Sequence, residues 1–373
     1  MSMNHISVRQ LALSQIKGLT AVDLRQVLER AGGVDRFFEL PQAELYQLMG
    51  GVRGFCSDAE RKRLLAWAET EAQFLRSNPV DAFFLDTPEY SYKLSQCEDA
   101  PAVLYRRGEC SLNHCHMVAI VGTRNATVYG CDFTRTLVAD LAKALDDVVI
   151  VSGLAYGIDV NAHRAALAEN VPTIGVVAHG MRTIYPADHR DVAARMVRQG
   201  GAIVTEYPSN SPVFRGNFLA RNRIIAGMCD VTVVVESDSH GGALVTASLA
   251  SDYGREVAAV PGRSTDRYSR GCNQLIVHQK AAMIRGAEDL MDLMRWEAKA
   301  GASEQSSFVF DIDSLPADQR SIVNYLRSHP DATLNDMVAP LCMPFATLSS
   351  KVMDMEMNDI IVALPGGKFQ LKV

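Results

Sequence analysis

The stretch Val148-Val149-Ile150-Val151-Ser152-Gly153-Leu154-Ala155-Tyr156-Gly157-Ile158-Asp159 decides the architecture, because a β-branched run passes through a glycine-bearing turn into a helix start. Unbroken apolarity, rather than alternation, suits a strand buried on both faces, and such strands belong to parallel sheets covered by helices. Similar runs recur at Val118–Val121, Thr173–Val177, Ala202–Thr205, Val231–Val235 and Val257–Val260. Helix-like stretches of about ten to twenty residues separate them, the rhythm of repeated βαβ units. The fold class expected is therefore α/β, a doubly wound parallel sheet, over residues 76–296.

In such a sheet the ligand sits where the loops leave the carboxyl ends of the strands. The polar signals fall there: Gly122-Thr123-Arg124-Asn125, Ser152 to Asp159, His179 to Arg182, Glu206-Tyr207-Pro208, Glu236 to Gly242 and Pro261-Gly262-Arg263. No Walker loop is present, and no dinucleotide fingerprint follows a strand, which argues against nucleotide hydrolysis and nicotinamide chemistry. Phosphate can still be held by loop amides and arginines.

Phe218-Leu219-Ala220-Arg221-Asn222-Arg223-Ile224-Ile225-Ala226-Gly227 sets two arginines and an asparagine at the head of an apolar helix, between two of the strands. The helix N-terminus and two guanidinium forks suit phosphate; the alternative is an arginine pair bound to surface acids.

Around the sheet, residues 1–75 read as a small helical domain, with Leu24, Val27, Leu28 and Ala31 at helix spacing and Gly18, Gly32-Gly33 and Gly50-Gly51 as stops. Ile16-Lys17-Gly18-Leu19 resembles a helix-hairpin-helix turn that lacks its second glycine. Tyr92–Leu94, Pro101–Tyr105 and Gly108 read as a strand-rich lead-in to the sheet. Residues 297–307, rich in Ala, Ser and Gly, read as a linker, and residues 308–373 as three helices and a hairpin, a winged-helix module. That module carries five basic residues against eight acids, the reverse of a phosphate-binding face. A protein-contact or auxiliary role is expected of it.

The chain has 373 residues, 48% of them hydrophobic, and a net charge of −6, so nucleic acid cannot be held by a general basic coat. Positive charge instead concentrates at Arg215, Arg221 and Arg223 and again at Arg263, Arg267 and Arg270, which suggests a defined groove. Eight scattered cysteines fit reduced thiols, and with no apolar run near the ~20 residues of a membrane span the expected location is cytoplasmic.

Taken in order, Val121-Gly122-Thr123-Arg124 with Tyr129-Gly130, Ser152 to Asp159 with Ala162-His163, Tyr185-Pro186, Glu206-Tyr207-Pro208, Arg221 to Gly227, Gly242 to Ala247, Val260-Pro261-Gly262, and Gly271 with Asn273, Leu275 and Ile276 resemble the motifs of the DprA/Smf family of DNA-processing proteins. Leu219, Ala220, Ala243 and Arg182 depart from its usual pattern. The resemblance implies a Rossmann-like sheet between an N-terminal helical, SAM-like domain and a C-terminal winged helix. It further implies a homodimer that binds and protects single-stranded DNA without catalysis and loads the RecA recombinase in natural transformation, with no cofactor and no metal.

On physical grounds Arg124, Arg221 and Arg223 would neutralise phosphates, and Gly122, Thr123, Gly242 and Thr246 would supply N–H and hydroxyl donors. Phe218 is either a stacking platform for bases or a core residue. Arg182, Asn222 and Arg263 are further candidates, with Glu206 and Glu236 as competing partners.

Two clusters have the residue types of other chemistry. Cys110, His114, Cys115 and His116 carry soft ligands, but adjacent residues seldom face one ion, so a loop with incidental thiols is favoured over zinc. Asp159 and His163 stand at i, i+4 near Ser152, a spacing open to hydrolase chemistry or to fastening a helix start. A nucleotide-cleaving, phosphoribohydrolase-like enzyme is the runner-up function; Pro261-Gly262-Arg263-Ser264 breaks the loop such enzymes use. A third reading is a groove for a phosphorylated small molecule.

Overall fold

The computed structural model describes residues 6–16, 18–50, 57–299, 315–329, 332–357, 360–364 and 367–371. Two compact units divide it, Met1–Glu297 and Ala298–Val373.

The larger unit is built on a nine-stranded sheet. Its strands are β1 (Asp81–Phe84), β2 (Val103–Gly108), β3 (His116–Val121), β4 (Val148–Ser152), β5 (Thr173–Val176), β6 (Ala202–Thr205), β7 (Val231–Val234), β8 (Glu256–Ala259) and β9 (Ala282–Met283). They lie in the order β1-β2-β6-β5-β4-β3-β7-β8-β9. The β6-to-β9 block is wholly parallel, while β1 and β2 pair antiparallel with each other and β2 with β6. All six expected strands are present. The central strands β4 and β7 are buried along their whole length, and β3 in all but His116, because apolar β-branched residues face helices on both sides. The chain winds outward from β3 in one direction through β4 and in the other through β7, so the topological switch point lies between β3 and β7.

Helices α1 (Val8–Leu13), α2 (Ala21–Ala31), α3 (Val34–Glu39), α4 (Gln42–Leu48) and α5 (Asp58–Ser77) precede the sheet. Ser7 and Thr20 form capping boxes, and Gly32, at φ +81°, ends α2 in the left-handed region that glycine takes without strain. These helices share one apolar core with the sheet, in which Leu11, Leu24 and Phe37 join Leu104 and Ile203. Glu71 of α5 is buried and accepts from both the amide and the hydroxyl of Ser209, each at 2.7 Å, fastening α5 to the loop after β6.

Helices α6 (Tyr92–Ser95), α7 (Val128–Ala144), α8 (Ile158–Ala168), α9 (Arg190–Arg198), α10 (Asn217–Met228), α11 (Gly242–Asp252), α12 (Arg270–Val277) and α13 (Ala287–Met294) complete the unit. The Tyr92–Leu94 segment, expected as strand, is the short helix α6 because Ser91 caps the Leu94 amide and starts a turn. Lys17 and Gly51 lie outside the described residues, as does most of the expected 297–307 linker.

In the second unit, α14 (Ala317–Ser328), α15 (Leu334–Leu341) and α16 (Phe345–Met357) accompany a three-stranded antiparallel sheet, β10 (Ala332–Thr333), β11 (Ile361–Leu364) and β12 (Lys368–Leu371), in the order β10-β12-β11. Thr333 and Asp336 form the expected capping box at the head of α15. Ile322, Val323, Leu326, Met337, Leu348 and Val352 make its separate core. Among the described residues no helix is long and apolar enough to cross a membrane.

Candidate nucleic-acid interface

A cavity of about 320 Å³ opens at the switch point. Gly122, Thr123, Arg124 and Asn125 after β3, Ala155 after β4, Ser237, Asp238 and Gly241 after β7, and the first turns of α8, α10 and α11 converge on it. None of these three helices has a side-chain cap at its N-terminus, and the first turns of α10 and α11 hold no acid. The Ile158, Asn217, Phe218 and Leu244 amides are spent on the carbonyls of Thr123, Phe214, Arg215 and Gly241, so what α10 and α11 offer an anion is their dipole ends and the remaining first-turn amides.

The loops need their glycines. Gly157 has φ +76°, and a Cβ there would stand 2.1 Å from the Thr123 carbonyl and 2.7 Å from the Arg124 Cα. A Cβ on Gly122 would meet Ile158 at 2.5 Å, so that glycine lets α8 pack against the β3 loop. Gly242 faces open space at the head of α11.

Eight of the eleven expected residues line the cavity: Gly122, Thr123, Arg124, Phe218, Arg221, Asn222, Gly242 and Thr246. Their duties differ from the expectation. Arg124 is exposed, its guanidinium 5.7 Å from the Phe218 ring centre, and Phe218 in turn lies 5.6 Å from the Tyr185 ring. This cation–aromatic–aromatic series is the part of the site open to a strand of nucleotides. Thr123 spends its amide on the Glu236 carbonyl at 2.7 Å, and its hydroxyl oxygen accepts the Asn125 amide at 3.2 Å, which leaves only the hydroxyl proton to donate.

Arg221, the fifth residue of α10 rather than part of its opening turn, is buried. Its Nη1 donates to the Gly153 carbonyl at 2.7 Å and to the Val176 carbonyl, and its Nε to Asn222 Oδ1 at 3.2 Å. Burial lowers its pKa, which the nearby Asp159 carboxylate opposes. Burial likewise raises the Asp159 pKa, opposed mainly by Arg221. Arg221 and Asp159 thus compensate each other beneath the cavity, and Arg124 is left as its exposed cation.

Three expected residues lie elsewhere. Arg223 pairs with Glu206 and donates to the Asp99 carbonyl, on a part-buried face away from the cavity. Arg182 is exposed and sits 4.7 Å above the ring of Phe74. Arg263 lines an adjoining recess of about 860 Å³ with Tyr129, Glu236 and Arg267.

The Ser152, Asp159 and His163 cluster is not a catalytic relay. Ser152 Oγ donates to the Ile120 carbonyl at 2.6 Å, Asp159 accepts the Gly153 amide at 3.1 Å, and His163 Nδ1 lies 2.8 Å from Thr173 Oγ1. His114 Nδ1 is 2.5 Å from Asp147 Oδ1, which ties the loop before β3 to the loop before β4 rather than presenting a ligand. Among the described residues no three His, Cys, Asp or Glu side chains gather as metal ligands.

Sequence reasoning did not single out Asn125, Tyr185, Asp238 and Gly241 as site residues, although each sits in a loop or motif it marked. Their chemistry is ordinary; only the convergence of loops from β3, β5 and β7 gives them a role.

The fold and this cavity define a Rossmann-like protein with a groove at its switch point. The family described as DNA recombination-mediator protein A matches residues 81–295, and the chain belongs to that family. It is 33% identical over 311 residues to Protein Smf of Escherichia coli K12, covering 83% of this chain and 80% of that protein. It is 32% identical to the DNA processing protein DprA of Streptococcus pneumoniae R6, over 74% of this chain and 93% of that one. The X-ray structure of Streptococcus pneumoniae DprA superposes with a TM-score of 0.63 at 28% identity, over 77% of this chain and 98% of that chain. A structure of the Helicobacter pylori protein, described for its single-stranded DNA binding mode, superposes with a TM-score of 0.51 at 30% identity, over 57% of this chain and 95% of that chain.

Proposed function

We propose that this recombination mediator binds single-stranded DNA in the switch-point cavity without cleaving it, protects the strand and delivers it to the RecA recombinase. The observation that carries this reading is the open series Arg124, Phe218 and Tyr185 beside uncapped helix starts. Phosphate meets the cation and the amides, while bases stack on the rings without regard to sequence. Absence of catalysis is supported by Ser152, Asp159 and His163, each engaged with backbone or Thr173 instead of with one another. In this reading the protein acts in the cytoplasm as a homodimer, and the module at residues 308–373 is a winged helix with a protein-contact role suited to its acidity.

Fluorescence anisotropy with labelled single-stranded and duplex DNA over a salt series tests it. Preference for the single strand is expected, with log affinity falling against log salt by about 0.7 per phosphate neutralised. Absence of binding at low salt would overturn the reading. Release of base from a nucleoside monophosphate would favour the enzyme alternative, and saturation by one nucleotide the small-molecule groove.

A further inference from the structure

The Arg182 side chain opens a second site. A recess of about 550 Å³ lies between α5, β2 and the loop after β5, lined by Thr70, Gln73, Asn78, Arg107 and Arg182. It holds two guanidinium groups and no carboxylate. Arg107 is half-buried, makes no ion pair or hydrogen bond through its side chain among the described residues, and its Nε is shut off from solvent with no acceptor. With no protein acceptor for its terminal N–H groups among the described residues and no carboxylate in the recess, the Arg107 charge is left for an oxyanion. Arg182, its guanidinium 4.7 Å from the centre of the Phe74 ring, lines the same recess.

The same loop leads back to the first cavity. Its backbone is pinned at both ends: the Gly180 amide donates to Ser211 O at 3.0 Å, Arg182 N to Ser209 O at 3.3 Å, and Tyr185 N to His179 Nε2 at 3.2 Å. Tyr185 meets Phe218 at the cavity mouth, and Arg182 stands three residues before it, at most about 11 Å along the backbone. Arg124, Phe218, Tyr185, Arg182 and Arg107 therefore form one track from the switch point to the α5 edge of the sheet.

We infer that the Arg107–Arg182 recess is a phosphate subsite that takes a backbone phosphate of the strand leaving the first cavity. The inference rests on the DNA-binding reading above. It makes the N-terminal helices part of the binding surface through α5.

Affinity of wild type and of Arg107→Gln should be measured for oligothymidylates too short to leave the first cavity and for longer ones, over a salt series. Arg107→Gln is expected to bind short strands as wild type does and long strands about tenfold more weakly, with the salt slope for long strands reduced by about 0.7. Arg107→Lys, which keeps the charge, should restore most of the loss. Circular dichroism melting of each variant separates misfolding, which would weaken short and long strands alike. Equal affinity of wild type and Arg107→Gln for long strands would overturn the subsite. Inorganic phosphate that binds wild type but not Arg107→Gln, with long-strand affinity unchanged, would assign the recess to a free phosphate and overturn the strand version. Failure of wild type to bind any single strand would overturn the functional reading and this inference together.

Discussion

Arg221 Nη1 donates to the Gly153 carbonyl at 2.7 Å, joining α10 to the loop after β4 through a buried charge. This arginine holds the cavity together from beneath instead of facing its contents. Arg221→Ala would leave two backbone carbonyls unsatisfied and Asp159 without its counter-charge. A loss of about 3–5 kcal/mol in stability is expected. Urea unfolding checks it, with Arg124→Ala as the contrast, since that exposed change should alter stability by no more than about 0.5 kcal/mol.

Phe218→Ala should weaken single-strand binding by about 1–3 kcal/mol, the worth of one stacked base, and Phe218→Trp should retain it. The comparison by anisotropy distinguishes a stacking platform from a packing residue, for which Trp would be the worse replacement. Unchanged affinity in Phe218→Ala would remove the ring from the site.

Gly157→Ala places a methyl group 2.1 Å from the Thr123 carbonyl at a positive φ, so the β3 loop must move. Lower affinity for single strands is expected together with a lower melting temperature. An alanine variant with unaltered binding would mean that the β3 loop does not shape the site.

His163 is wholly buried, and burial, aided by the charges of His189 and Arg221, pulls its pKa from 6.5 down to about 3. Between those values the unfolded chain takes up the proton and the folded one does not. Stability from this group is therefore complete above about pH 6.5 and declines as pH falls, by about 1.4 kcal/mol per unit. His163→Asn should flatten that part of the stability profile; an unchanged slope would assign it to other groups.

The sheet was legible because its strands are unbroken β-branched runs, a pattern that helices on both faces impose and surface strands do not show. The loops were legible for a related reason, since glycines and polar residues gather where the strands of the sheet end. Arg221 was misjudged because its partners are main-chain carbonyls of Gly153 and Val176, which leave no mark in side-chain identity. Arg223 was misjudged because Glu206 and Asp99 reach it from distant segments. The antiparallel pairing of β1 and β2 onto β6 was likewise hidden, for a short strand carries no record of its neighbour.

The outermost strands carry a further consequence. The interior of the sheet is a block of valine, isoleucine and alanine strands, which would template self-association if any side lay open. On one side β9 is only two residues long, and on the other β1 begins with Asp81, held at 2.7 Å by Arg106. A fragment cut to begin after β2 would bare the ladder of β6 and precipitate, so the lead-in hairpin acts as a guard on solubility as well as a part of the fold.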